Sequence, residues 1–140
     1  MRVVLDTNVI IAAFAARGLC SEVFEVCLTN HSIVTSEHIL LEVEKGLVKK
    51  IHLPGNITAS IIDYLRDIAE IFEPQHIEDS ACRDIDDSKI IGTAVSGNAR
   101  LIITGDDDLL TLKKFMKIDI VTPREFWNRL KKITGHVEED

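Results

Sequence analysis

The feature that most constrains the fold is a short apolar run that ends in an acid, at the start of the chain. Residues 3–5 (Val-Val-Leu) are wholly apolar, which is typical of a strand buried on both faces. Asp6 ends the run, and Thr7 and Asn8 offer small polar side chains of the helix-capping kind before an apolar helical pattern at 9–16. The pattern predicts a carboxylate at the C-terminal end of a central strand, where open α/β sheets gather ligands and catalytic groups.

Short strands and amphipathic helices alternate along the rest of the chain. Further strands are predicted at residues 32–35, 70–73, 101–104 and 118–121. Helices are predicted at residues 21–28, 36–50, 57–72, 88–97 and from 123 onwards, with a polar, acidic loop at 78–87. This alternation predicts a parallel sheet between layers of helices. Because no repeat or linker interrupts it, we expect one domain over residues 1–134 and a flexible acidic tail at 135–140.

Composition limits the classes of function. A length of 140 residues suits one domain. The net charge of −7, from 16 basic and 23 acidic residues, argues against binding nucleic acid by bulk charge but does not exclude a nucleic-acid enzyme. The basic clusters at 113–117 and 124–132 are expected on solvated helix faces. No apolar run reaches the ~20 residues of a membrane span, and no signal-peptide pattern opens the chain, so we expect a cytoplasmic protein.

The cysteines and histidines carry little information about function. Cys20, Cys27 and Cys82 are odd in number and include no C-x-x-C pair. Cys20 and Cys27 are seven residues apart on one predicted helix, so they are expected to stay free thiols. The five histidines show no metal-binding spacing, and we assign no role to them, although His38 lies near a helix start beside the proposed site.

Four acids occupy positions where a solvated acid is out of place. Asp6 ends the first strand, and Asp106 follows the strand at 101–104 across only Gly105. Asp87 lies three and four residues before Ile90 and Ile91, so a helix there would put it in the middle of the inward apolar stripe, one turn from the N-terminus. Glu42 lies on the border of the apolar stripe of the helix at 36–50. Taken singly, each acid can be a helix cap, a partner of the helix dipole or a surface residue.

The convergence of these acids predicts a cation site. Carboxylates that are brought together repel one another unless some are protonated or a cation binds. Oxygen ligands favour Mg²⁺ or Mn²⁺, and such a cation can activate water and stabilise charge on a phosphoryl oxygen. The neighbouring acids are assigned to a second tier, as direct or water-mediated ligands or as charge at the mouth of the site: Asp84, Asp86, Asp107 and Asp108.

The ordered set of motifs resembles the PIN-domain family, and within it the VapC-like toxin ribonucleases. The matching motifs span about residues 1–130: Val4-Leu5-Asp6-Thr7-Asn8, Ser36 with Glu42-Val43, Asp87-Ser88-Lys89-Ile90-Ile91-Gly92-Thr93-Ala94, and Thr104-Gly105-Asp106-Asp107-Asp108-Leu109. The resemblance implies a Rossmann-like three-layer α/β/α sandwich with a parallel sheet of about five strands. It also implies a Mg²⁺- or Mn²⁺-dependent endoribonuclease.

The resemblance also assigns roles to residues and partners. It implies that Asp6, Glu42, Asp87 and Asp106 form the catalytic and metal-binding quartet, with Asp108, and by its position Asp84, as further candidate ligands. Supporting roles fall to Thr7, Asn8 and Thr104. RNA is then the substrate, a homodimer the expected assembly, and a cognate antitoxin protein a candidate partner. The alternative is a non-catalytic PIN-like module that binds RNA or protein. A phosphatase or phospho-receiver domain is not supported, because Asp6-Thr7-Asn8 does not supply the second aspartate of a D-x-D phosphatase and no strand clearly ends in the lysine that a receiver site needs.

Overall fold

The computed structural model describes residues 1–78 and 84–139, with residues 133–139 as backbone alone. Its strands are β1 (Arg2–Leu5), β2 (Ser32–Thr35), β3 (Glu70–Ile71), β4 (Leu101–Ile103), β5 (Lys114–Phe115) and β6 (Ile118–Val121). Its helices are α1 (Thr7–Ala15), α2 (Leu19–Asn30), α3 (Glu37–Lys49), α4 (Gly55–Ile68), α5 (Ile85–Ser96), α6 (Asp107–Leu112) and α7 (Pro123–Glu139).

The six strands form one mostly parallel sheet in the order β3-β2-β1-β4-β6-β5. All neighbouring pairs are parallel except β5 and β6. The predicted α/β fold with a parallel sheet flanked by helices is therefore confirmed, with six strands instead of about five. The additional strand is β5, which has only two residues and too few positions to show an alternating pattern.

The centre of the sheet lies at β1, as its apolar sequence predicts. Val3 and Val4 are completely buried, and so are Ile102 and Ile103 on the adjacent strand β4. The chain runs from β1 to β2 on one side, while β4 pairs with β1 on the other. The strand order thus reverses beside β1, and the carboxyl ends of β1 and β4 flank a crevice of the kind in which α/β proteins bind ligands.

Several helices begin where the sequence predicts them, although the capping side chains differ in part. Ser36 accepts a hydrogen bond from the backbone N–H of Ile39 at 3.3 Å and begins α3 as predicted. Asp6 itself caps α1, where Thr7 and Asn8 were the predicted capping residues. Asp84 caps α5, so this helix begins inside the segment predicted as a loop.

The remaining predictions about segments have mixed outcomes. Residues 79–83 of the predicted loop, with Cys82, lie outside the described residues. Cys20 and Cys27 are free, as predicted. The backbone of α7 is helical to Glu139, beyond residue 135 where the tail is expected to begin. Among the described residues, no helix is long and apolar enough to cross a membrane.

Gly92 allows α5 to approach the segment after β3 closely. The backbone N–H of Gln75 donates a hydrogen bond to the carbonyl of Gly92 at 3.0 Å. A Cβ atom on Gly92 would lie 2.3 Å from the carbonyl oxygen of Gln75. Because that neighbour is backbone, a side chain at Gly92 would push the two segments apart. This contact therefore helps to hold α5 and its acids against the sheet.

Replacing this glycine should destabilise the fold. We expect Gly92→Ala to lower the free energy of unfolding by about 1–3 kcal/mol, the usual range for overpacking, in spite of the better helix propensity of alanine. Gly55→Ala is the matched control, because Gly55 also lies in a helix but has nothing within 4 Å of its Cβ position. Urea unfolding followed by circular dichroism measures both, and equal midpoints for the two variants would contradict the expectation.

Candidate active site

A cleft of about 370 Å³ opens at the carboxyl ends of β1 and β4. The four acids of the predicted quartet all line it: Asp6, Glu42, Asp87 and Asp106. Asp6 follows β1, Asp106 follows β4, and α3 and α5 supply Glu42 and Asp87. The parallel sheet therefore brings together side chains that are up to 100 residues apart in the chain.

Asp6 is buried and held by two hydrogen bonds. Its carboxylate is 8% exposed. One oxygen accepts from the backbone N–H of Thr7 at 2.7 Å, and the other accepts from the hydroxyl of Thr104 at 2.5 Å. Burial raises the pKa of Asp6 above its usual range, the two hydrogen bonds act in the opposite direction, and the charges of Asp106 and Asp86 raise it further. The hydrogen bonds from Thr7 and Thr104 therefore stabilise the ionised form of Asp6 against the effect of burial.

Asp87 has the most strongly perturbed carboxyl group of the cleft. It lies in the first turn of α5 and is 9% exposed, so the prediction that it faces inward is confirmed. Its pKa is raised to about 7, first by burial and then by the charge of Asp106. The charges of Asp84 and Asp6 and a hydrogen bond with Asp106 raise it further. Without a cation, Asp87 therefore keeps its proton through the weakly acidic range and loses it only around neutral pH.

Thr104 links two of the acids. Its side chain is completely buried after β4. The hydroxyl donates to Asp6, and the same oxygen accepts from the backbone N–H of Asp106 at 3.0 Å. Asp106 in turn caps α6, because one carboxylate oxygen accepts from the backbone N–H of Leu109 at 3.0 Å. One buried hydroxyl therefore fixes the side chain of Asp6 relative to the backbone of Asp106.

Two groups of possible metal ligands occur at the cleft, and one of them extends to Asp108, which does not line it. Asp87, Asp106 and Asp108 have ligand oxygens within 4.8 Å of one another. Glu42 belongs to the other group, in which ligand atoms of His38, Glu42 and Asp86 lie within 4.8 Å of one another.

Neither group includes Asp6, whose two oxygens already accept hydrogen bonds. The predicted quartet thus shares one cleft but does not converge on one point.

The other predicted residues have more varied surroundings. Thr7 contacts Asp6 through its backbone N–H. Asn8 is exposed and lines the cleft. Asp84 also lines the cleft, and its carboxylate accepts from the backbone N–H of Asp86 at 2.8 Å.

Sequence reasoning missed part of the cleft. His38, to which we assigned no role, lies with its Nε2 atom 3.1 Å from a carboxylate oxygen of Asp86. The available signal was the spacing of four residues between His38 and Glu42, which puts both on one face of α3. Lysines at the end of the same helix also line the cleft: Lys45, Lys49 and Lys50. By spacing, Lys45 and Lys49 are candidate ion-pair partners of Glu42, but no sequence pattern indicates that they belong to the cleft.

The donor set of the first group fits a hard divalent cation. Asp87, Asp106 and Asp108 offer oxygen ligands alone, which is the preference of Mg²⁺ and Mn²⁺. The pKa of Asp87 is raised first by its burial and then by the negative charges of neighbouring acids, which repel the ionised form. A cation bound between these carboxylates would remove that repulsion.

The pKa of Asp87 predicts an unusual dependence of stability on pH. A carboxyl with pKa about 7 in the folded protein and an ordinary pKa when unfolded binds more protons in the folded state between these values. Without metal, stability should therefore fall as the pH rises from about 4 to about 7. We expect Asp87→Asn to melt about 2–6 °C above the wild type at pH 8 in EDTA, with the difference shrinking towards pH 5.

Thermal unfolding at several pH values measures this difference. Asp67→Asn is the matched control, because Asp67 is an exposed acid on α4 outside the cleft. It should follow the wild type at every pH. A constant difference between Asp87→Asn and the wild type across this range would contradict the assignment of a raised pKa.

Solved structures of other proteins share this fold. VapBC-1 from nontypeable Haemophilus influenzae aligns with a TM-score of 0.61 and 20% identity over 89% of this chain and 99% of its own. VapBC2 from Rickettsia felis, bound to a DNA fragment from its promoter, has a TM-score of 0.60 and 18% identity over 87% and 98%. VapC20 of Mycobacterium tuberculosis, described as a sarcin-ricin loop cleaving toxin, has a TM-score of 0.54 and 12% identity over 84% and 98%. At these identities the likeness establishes the fold.

Sequence comparison identifies the family. A search of curated protein sequences found no significant match. The family model of the PIN domain matches residues 2–108, from β1 to the start of α6. This span includes the four predicted acids and Thr104 and covers more than half of the 140 residues. The chain therefore belongs to the PIN domain family.

Proposed function

We propose that this protein is a metal-dependent endoribonuclease that hydrolyses phosphodiester bonds of RNA, and that it is the toxin of a toxin–antitoxin pair. The observation that carries the proposal is the grouping of buried acids at the carboxyl ends of β1 and β4. Asp6 and Asp87 are at most 9% exposed, and burial raises the pKa of each. Membership of the PIN domain family supports the same chemistry.

The acids of the cleft have two different roles in the proposed reaction. In this proposal Asp6, Asp87 and Asp106 hold Mg²⁺ or Mn²⁺, with Asp108 as a further ligand. When bound, the cation supplies stabilisation of charge on a phosphoryl oxygen and lowers the pKa of water. Glu42, on the α3 wall of the cleft, completes the site by orienting a water molecule and accepting its proton.

The supporting residues keep the carboxylate of Asp6 in one orientation. The hydroxyl of Thr104 and the backbone N–H of Thr7 each donate to one of its oxygens. Such hydrogen bonds from neighbouring residues fix a ligand and tune its affinity for metal. In the proposal Asn8 contributes a polar side chain at the exposed edge of the cleft.

The proposed partners follow from the structural neighbours. The solved structures that share this fold include VapBC complexes from two bacteria. By analogy, we propose that a cognate antitoxin protein covers this chain and that two copies form a homodimer in the cytoplasm. A PIN-like module that binds RNA or protein without cleaving it is the rival, and it predicts no turnover.

Neutralising single acids should abolish cleavage. We expect Asp6→Asn and Asp87→Asn each to lower kcat/KM for RNA by about 100-fold or more, because loss of several kcal/mol of charge stabilisation has this effect. Cleavage of a mixed single-stranded RNA in Mn²⁺ or Mg²⁺ is the measurement. Asp67→Asn, an acid outside the cleft, should cleave at the wild-type rate.

Two outcomes would contradict the proposal. Cleavage that survives both substitutions and EDTA would remove the acids from the mechanism. A folded wild-type protein that binds Mn²⁺ but cleaves no RNA would favour the binding module. The toxin part of the proposal is tested in the same assay, since the product of the neighbouring gene, added as a purified protein, should inhibit cleavage.

The hydroxyl of Thr104 offers a test of the positioning role. We expect Thr104→Val, which keeps the shape of the side chain but removes the donor, to weaken Mn²⁺ affinity and activity by about 10–100-fold. Thr104→Ser keeps the hydroxyl and should retain most of both. Calorimetric titration with Mn²⁺ and the cleavage assay measure the pair. If serine and valine weakened Mn²⁺ binding equally, the hydrogen bond to Asp6 would not be the cause.

A further inference from the structure

Three lysines near the C-terminal end of α3 line the same cleft as the acids. They are Lys45, Lys49 and Lys50, and all three side chains are exposed. Among the described residues that line the cleft, no other lysine or arginine occurs. In a chain with a net charge of −7, the cleft therefore has an acidic end at the sheet and a basic end at α3.

The geometry of α3 directs these lysines along the cleft. Glu42, Lys45 and Lys49 are three and seven residues apart, so they share one face of the helix. The distance from Glu42 to Lys49 is about 10 Å along the axis. Gly46, on the same face, brings α3 against α1, since a Cβ there would lie 2.2 Å from the Cδ1 atom of Ile11. The basic face thus borders the helix that begins at Asp6.

The charges of the last two lysines are not neutralised. The Nζ atom of Lys45 lies 3.9 Å from a carboxylate oxygen of Glu42. Lys49 and Lys50 form no ion pair within the part of the chain that the structure describes. The basic residues Lys114 and Arg129, in contrast, both pair with Asp119. Lysines on the last turn of a helix also interact favourably with the helix dipole. That interaction is the same on every face of the helix, so it does not explain why these lysines line the cleft.

We infer that Lys49 and Lys50, assisted by Lys45, bind the phosphate backbone of the RNA strand beside the proposed cleavage site. The inference rests on the proposed function, because it names the surface that holds the substrate. An acidic protein repels RNA at a distance, so its affinity must come from local contacts that displace counterions from phosphates. Phosphate contacts position a strand and carry no sequence information. The lysines therefore raise the affinity for every RNA sequence alike.

The salt dependence of RNA binding tests the inference. The proteins are the wild type, Lys49→Ala/Lys50→Ala, and the control Lys131→Ala/Lys132→Ala, an exposed pair on α7 with the same change of charge. The probe is a fluorescein-labelled single-stranded oligouridylate, followed by anisotropy in EDTA from about 0.05 to 0.2 M KCl. We expect the α3 pair to reduce the slope of log affinity against log salt by about 1.4, with about 25-fold weaker binding near 0.1 M.

Two further measurements define the outcomes. Lys49→Arg/Lys50→Arg keeps both charges and should keep the wild-type slope, while the α7 pair should also follow the wild type. Equal slopes for the two alanine pairs would overturn the inference. If the wild type still cleaved RNA in that case, the proposed function would stand. A reduced slope for the α3 pair in a protein that cleaves no RNA would support the lysine contact and count against the nuclease.

Discussion

The hydrogen bond from Thr104 to Asp6 is the interaction on which the site depends. β1 and β4 are parallel neighbours, so the acids that follow them meet at one edge of the sheet. Without a partner, buried carboxylates at this edge would repel each other and take up protons. Thr104 donates to one acid and accepts from the backbone of the other. A single uncharged hydroxyl therefore fixes the side chain of Asp6 relative to the backbone of Asp106.

Local sequence patterns predicted the elements that carry the site. The apolar run at residues 3–5 predicted β1, and with it the position of the acid that follows, because a strand buried on both faces needs a continuous apolar stretch. The inward direction of Asp87 was predicted because helical spacing puts it on the apolar face of α5. Ser36 was readable as a helix cap. In each case the signal lies within a few residues of the side chain it concerns.

The features that were not predicted depend on contacts between distant segments. The grouping of Glu42 with His38 and Asp86 requires α3 to pack beside α5, and no local pattern states which helices are neighbours. The same packing puts the lysines of α3 on the wall of the cleft. The strand β5 was missed because its two residues gain their structure only by pairing with β6. The earlier start of α5 depends on the cap at Asp84, inside a stretch whose acidic composition suggested a loop.

Three acids of the cleft also begin helices: Asp6 caps α1, Asp84 caps α5 and Asp106 caps α6. The loss of a capping carboxylate typically costs about 1 kcal/mol. Selection for folding and selection for chemistry thus act on the same side chains. Replacing any of these three acids by a residue without a side-chain acceptor would therefore weaken the start of its helix. The capping role needs only an acceptor, which asparagine, serine or threonine would also supply, so the fold alone does not explain why all three of these caps carry a negative charge.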